Sequence, residues 1–138
     1  MDLQDLGYAL TQVVHNLGAV SVVGAAAGAS RLSAREADKP HRGLAWLALG
    51  GWGVQGASGA TFGAISYASY GRFPDIHGIA IGALLLKMIC AAAGFSLVGL
   101  YLARGSGWSD AARLRCWRSL LVLALTALTA AAFLRWFS

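Results

Sequence analysis

Val13–Ser30 reads VVHNLGAVSVVGAAAGAS, an almost unbroken apolar run that carries one imidazole, His15, near its start. Extended upstream to Gly7, the segment reaches the length a helix needs to cross a bilayer, about 20 residues. A histidine in such a place must be satisfied away from water, and that requirement organises the rest of the reading. Three further segments have the same character: Gly43–Tyr67, Ile76–Ala103 and Cys116–Phe137. Together they fill most of the 138 residues, of which 57% are hydrophobic and 12% charged, at a mean hydropathy of +0.60. That is more apolar surface than one soluble core uses, so the chain belongs in a lipid bilayer. The expected fold is all-α: a single membrane domain over residues 1–138, built as a four-transmembrane-helix up-and-down bundle.

The charges orient it. Net charge is +5, and Arg31, Arg35, Lys39, Arg42, Arg104, Arg113, Arg115 and Arg118 make up eight of the eleven basic residues. All eight fall at the first and third connections, which the positive-inside rule places in the cytoplasm, with both termini outside. Basic residues set between apolar runs suit anionic headgroups and give no sign of nucleic-acid binding. The N-terminal MDLQDLGYAL is acidic and lacks the basic start of a secretory signal, so the first apolar segment is expected to stay in the mature protein. Cys90 and Cys116 lie in or beside apolar runs without CxxC or CxxCH spacing and are read as packing residues.

The second segment is rich in small residues: Gly50, Gly51, Gly53, Gly56, Gly59 and Gly63, the last two at GxxxG spacing. Small residues let helix backbones approach closely in lipid, so this helix is expected inside the bundle or against a partner, with room for a flat cofactor as the alternative. Gln55 and Ser58 lie near mid-bilayer and need interhelical hydrogen bonds.

His15 and Lys87 are the costly residues. Counted from Gly7, His15 lies about 12 Å deep, and counted from His77, Lys87 lies about 15 Å deep, at a helical rise of about 1.5 Å per residue. An amine at such depth faces a cavity, a partner or a cofactor rather than lipid. The face of Lys87 carries Ala80, Ala83, Ala91 and Gly94, and that of His15 carries Thr11, Gly18 and Val22, which suggests a crevice between helices 1 and 3. None of the four segments holds Asp or Glu, which argues against a proton-coupled transporter built on a membrane carboxylate and leaves Lys87 without a counter-ion. An anionic cofactor would fill that role. Haem b offers an iron for a neutral imidazole and propionates for an ammonium. The plainer alternative is that His15 bonds a neighbouring helix while Lys87 snorkels or bonds carbonyls.

HNLGAVSVVGAAAGASRL, with His15, Gly18 and Val20 and with Arg31 and Leu32 closing the helix, resembles the first helix of small four-helix membrane proteins related to HemJ-type protoporphyrinogen oxidases and to the copper-resistance protein D (CopD) membrane domain. LLLKMICAAAGFSLVGLYLARG, in which Lys87 precedes an apolar run, is similar to their third helix. The resemblance implies a bacterial-type inner-membrane protein with haem b at His15, which would be an axial ligand of the iron. It also implies Gly18 beside the ligand and a supporting role for Lys87. The second axial ligand is open. His77 sits at the outer mouth of helix 3, where it is a surface histidine or serves a second haem, a quinone pocket or a proton exit; His41 is on the opposite side of the membrane. Two functional classes follow. One is a b-haem cytochrome or oxidoreductase component passing electrons between a quinone pool and a redox partner. The other is an anchor or assembly subunit of a larger membrane complex, with no cofactor of its own.

Overall fold

The computed structural model describes residues 3–33, 41–72 and 75–137. Four helices account for nearly all of them: α1 (Leu3–Ser33), α2 (Arg42–Tyr70), α3 (Ile79–Arg104) and α4 (Asp110–Phe137), with a short 3-10 turn, Gly105–Gly107, before α4. There is no strand among the described residues. Three helices are long and apolar enough to cross a membrane: α1, α3 taken with its 3-10 turn, and α4. The 29 residues of α2 match them in length, but its glycines and serines keep it below the apolarity of those three spans.

Local chemistry sets the helix ends. Asp5 and Asp110 lie in first turns, and Arg31, Arg104 and Arg135 in last turns, each complementing the helix dipole. Gly71 ends α2 in the left-handed region (φ 67°), its N–H bonded to the Tyr67 carbonyl. Sequence places the fourth segment from Cys116, yet α4 begins at Asp110, because Ser109 Oγ accepts the Ala112 N–H at 3.3 Å and caps the helix two turns earlier. Arg113 and Arg115 are therefore helical. The third helix begins at Ile79 after Gly78 (φ 51°), which leaves His77 outside it.

Sequential helices run antiparallel. Gln4 Nε2 donates to Tyr70 Oη at 2.8 Å at one end of the α1/α2 pair, and Gly28 faces Leu44 at the other. Trp52 packs over Gly94 between α2 and α3, and the Tyr101 and Trp117 rings meet at 4.9 Å between α3 and α4. Because α1 packs on α2 and α4, and α3 packs on the same two, α1 and α3 occupy opposite corners of the bundle. The core is alanine-rich near α1 and α2 (Ala25, Ala26, Ala29, Ala45, Ala48), and its largest fully buried side chains, Trp117, Tyr101 and Leu120, lie toward the arginine-rich end. Leu, Val and Ile side chains of α1, α3 and α4 point outward, where lipid rather than water would receive them.

Close helix approach occurs where Gly18 of α1 meets Gly51 of α2, and at Gly94 of α3. A Cβ on Gly51 would lie 2.7 Å from Val22 Cγ2 and 3.0 Å from the Gly18 carbonyl oxygen, and one on Gly94 would lie 2.3 Å from the Trp52 indole. A Cβ on Gly59 would meet nothing within 4 Å, so Gly59 faces outward and is not an inner packing residue. Gly51→Leu should lower the stability of the detergent-solubilised protein by about 1–3 kcal/mol through overpacking, while Gly59→Leu leaves it unchanged. Equal losses of thermal stability in the two variants would contradict this arrangement.

Candidate functional site

His15 belongs to the buried face of α1 with Gly18, Val22, Ala25 and Ala29, and only 8% of it is exposed. One turn beyond it, Gly18 lets α2 come close: a Cβ there would lie 2.8 Å from Val54 Cγ1 and 3.2 Å from the Gly51 carbonyl oxygen. That approach brings Gln55, Ser58 and Phe62 of α2 around the imidazole. Gln55 Nε2 donates to the His15 carbonyl at 2.5 Å, and the Phe62 ring meets the imidazole edge-on at 5.7 Å, with Tyr8 stacked behind Phe62 at 6.2 Å.

Ser58 Oγ lies against the Val54 carbonyl, the usual i to i−4 partner of a helical serine, and 2.6 Å from His15 Nδ1. Lys87 Nζ lies 2.8 Å from Nε2. A charged lysine only donates, so beside it a neutral ring keeps its lone pair on Nε2 and its proton on Nδ1, toward Ser58. In that state donors run in one direction, from Lys87 through His15 and Ser58 to the Val54 carbonyl.

Lys87 reaches this point from α3, on the face that buries Ala80, Ala83, Cys90 and Gly94. The equal depth of the two residues in sequence is thus realised as contact. The setting differs from a crevice between neighbouring helices: α1 and α3 stand at opposite corners, so the contact crosses the bundle axis and α2 walls it on one side. Asp5, Asp75 and Asp110, the acidic residues among those described, lie at or beyond helix ends, and Asp75 and Asp110 bond His77 (3.2 Å) and Arg113 (2.9 Å). No carboxylate among the described residues stands beside Lys87.

The remaining sequence candidates separate. His77 is exposed beside Asp75, outside α3 and away from His15. His41 precedes α2 at the other end, its backbone N–H donating to Tyr101 Oη at 3.2 Å. No three His, Cys, Asp or Glu side chains among the described residues are grouped to hold a bare metal ion. Gly18 serves the α1/α2 approach. Sequence reading identifies Gln55 and Ser58 as needing partners without finding that the partner is His15; reflecting position 15 through the short first connection lands on Ser58, which is the signal available. The chain matches no protein-family model, no curated protein and no solved structure.

Proposed function

We propose that this is a membrane-integral b-haem redox protein, passing electrons between a quinone pool and a partner subunit, with His15 as the axial ligand. The observation that carries the reading is the pair of contacts on the His15 ring. An iron-ligating histidine presents a bare nitrogen to the metal and gives its other N–H to a fixed acceptor, and Ser58 Oγ stands 2.6 Å from Nδ1 where that acceptor would be. The donor set therefore fits haem. Lys87 covers Nε2 and would have to turn aside on its flexible four-carbon stem for the iron to be held there, when its charge would suit the anionic groups of the cofactor. Bound there, haem supplies one-electron redox chemistry. Ser58 orients the imidazole, Phe62 and Tyr8 shield it from the outer end, and Lys87 provides the positive charge that favours the reduced iron. An apolar groove of about 680 Å³ between α3 and α4, lined by Ile79, Gly82, Ala83, Leu86 and Phe133 among others, has room for the prenyl chain of a quinone one turn from Lys87. The resemblance to the HemJ and CopD proteins points the same way.

A second reading has its own observation. Both ring nitrogens of His15 are satisfied within the chain, as in a purely structural polar contact. Between Ala48 and Ser66, α2 exposes no large apolar side chain, whereas α1, α3 and α4 each expose several along their length. A face of glycine and alanine suits a neighbouring helix better than lipid, as in the anchor subunit of a larger complex.

The bundle would sit in a bacterial-type inner membrane with α2 as the fourth span. The arginine-rich end would face the cytoplasm and both termini the outside. Reporter fusions at Asp110 and after the last helix should report opposite compartments; the same compartment for both would overturn the four-span arrangement.

For the haem reading, protein expressed with ample haem should give a b-type reduced-minus-oxidised spectrum. His15→Ala should abolish it. Lys87→Met should retain haem at a lower reduction potential, because a nearby cation is gone. Wild-type protein without a Soret band, or a His15→Ala variant with an unchanged one, would leave the anchor reading in its place.

A further inference from the structure

Ser21, Thr61 and Thr129 each bond a carbonyl of their own helix, those of Leu17, Ala57 and Leu125. The one proton of each hydroxyl is thereby placed without help from another helix. A carboxamide is not served so simply, because it carries two N–H groups and an oxygen. Gln55 reaches across to the His15 carbonyl. Gln12 and Asn16 of α1 reach only each other. Gln12 Nε2 donates to Asn16 Oδ1 at 2.7 Å, one turn along the helix, and both side chains are exposed on the outside of the bundle. Three N–H groups and the Gln12 oxygen are left without a partner among the described residues.

The depth of the pair makes this costly. The exposed rings of Tyr67 and Tyr70 mark the outer headgroup level, and Gln4 of α1 bonds Tyr70 there at 2.8 Å. At about 1.5 Å per residue, Gln12 lies about 12 Å and Asn16 about 18 Å below that level, and Asn16 directly follows His15. Lipid at such depth supplies neither donor nor acceptor, so the unmet amide groups gain most from another helix. Ala9 and Ala19, at helical spacing from the pair, keep this flank of α1 low enough for a second backbone to approach.

Symmetry decides which helix suits it. Every copy of the chain inserts with the same sidedness, so two copies meet with α1 parallel to α1 and each residue level with its own counterpart. Such a contact favours a group that complements itself. A lysine or a carboxylate would repel its copy. A carboxamide, donor and acceptor at once, pairs with it, as a buried asparagine does at the seam of a parallel coiled coil. Between Asp5 and Arg31 the sequence of α1 holds no Asp, Glu, Lys or Arg to recognise a charged partner instead.

We infer that the protein is a homodimer in the membrane, joined by α1 packed in parallel on α1 of a second copy, with the Gln12–Asn16 pair of each chain hydrogen-bonded to that of the other. The inference does not rest on haem.

Single-molecule photobleaching of fluorescently labelled chains, counted in bilayers of increasing lipid content, tests it. Wild-type protein should be dimeric and dissociate only as lipid is added. Gln12→Leu and Asn16→Leu should each weaken dimerisation about tenfold, as loss of a hydrogen bond between helices in lipid does. Asn16→Gln, which keeps a carboxamide, should retain more dimer than Asn16→Leu, and Thr61→Leu, exposed on α2, should leave it unchanged. In a chain with Cys90 and Cys116 replaced by alanine, Ala9→Cys should form a disulfide between copies, while Val14→Cys, exposed on the opposite flank of α1, should not. If Asn16→Leu does not fold, Gln12→Leu and the cross-links still decide. A monomer at every lipid content, a dimer indifferent to both leucine variants, or equal cross-linking from Val14→Cys would overturn the inference. A monomer that co-purifies with a different subunit, released by Asn16→Leu, would overturn it in favour of a hetero-complex.

Discussion

One requirement shapes the centre of this bundle: an imidazole and an amine, both far from water, must each find a partner. His15 on α1 and Lys87 on α3 meet at 2.8 Å across the axis, and Ser58 on α2 bonds the other ring nitrogen at 2.6 Å. Three helices are thereby tied at one level by polar contacts that have no substitute in hydrocarbon. A one-turn slip of any of them would strand a donor or an acceptor, so these contacts fix the register that apolar packing alone leaves loose.

The glycines make that geometry possible. Gly18 and Gly51 let α1 and α2 come near enough for Ser58 to reach His15, and Gly94 receives the Trp52 indole so that α3 closes on α2. Small residues hold the helices close and the polar chain sets their register. The same economy leaves a flexible lysine as the group that covers Nε2 of the imidazole. An axial ligand held ready by an acceptor on its other ring nitrogen has this form, and so does a structural polar lock. What separates them is whether Lys87 yields.

Much of this was legible in the sequence because lipid makes errors expensive. Apolar length located the helices, and the depth of His15 and Lys87, counted at a fixed rise per residue, predicted that they would lie level. Other features were not legible. The diagonal placement of α1 and α3 depends on which faces pack, and short connections constrain only neighbours in sequence. The start of α4 at Asp110 was hidden because Arg113 and Arg115 read as loop charges, although Ser109 followed by Asp110 is a helix-start signal. The GxxxG spacing at Gly59 and Gly63 suggested a packing face, inside the bundle or against a partner; within the bundle the close approach uses Gly18, Gly51 and Gly94, and Gly59 is open, since spacing marks a helix face without saying toward which neighbour it turns.

Nitrogen NMR of haem-free protein carrying ¹⁵N-labelled histidine in bilayers measures the proton arrangement of His15 directly, with a His15→Gln variant to assign the signal. A charged Lys87 beside Nε2 predicts a neutral ring protonated at Nδ1, with a bare Nε2 whose resonance moves when Lys87 is replaced by Met. A ring protonated at Nε2, protonated at both nitrogens, or indifferent to the loss of Lys87 would contradict the arrangement.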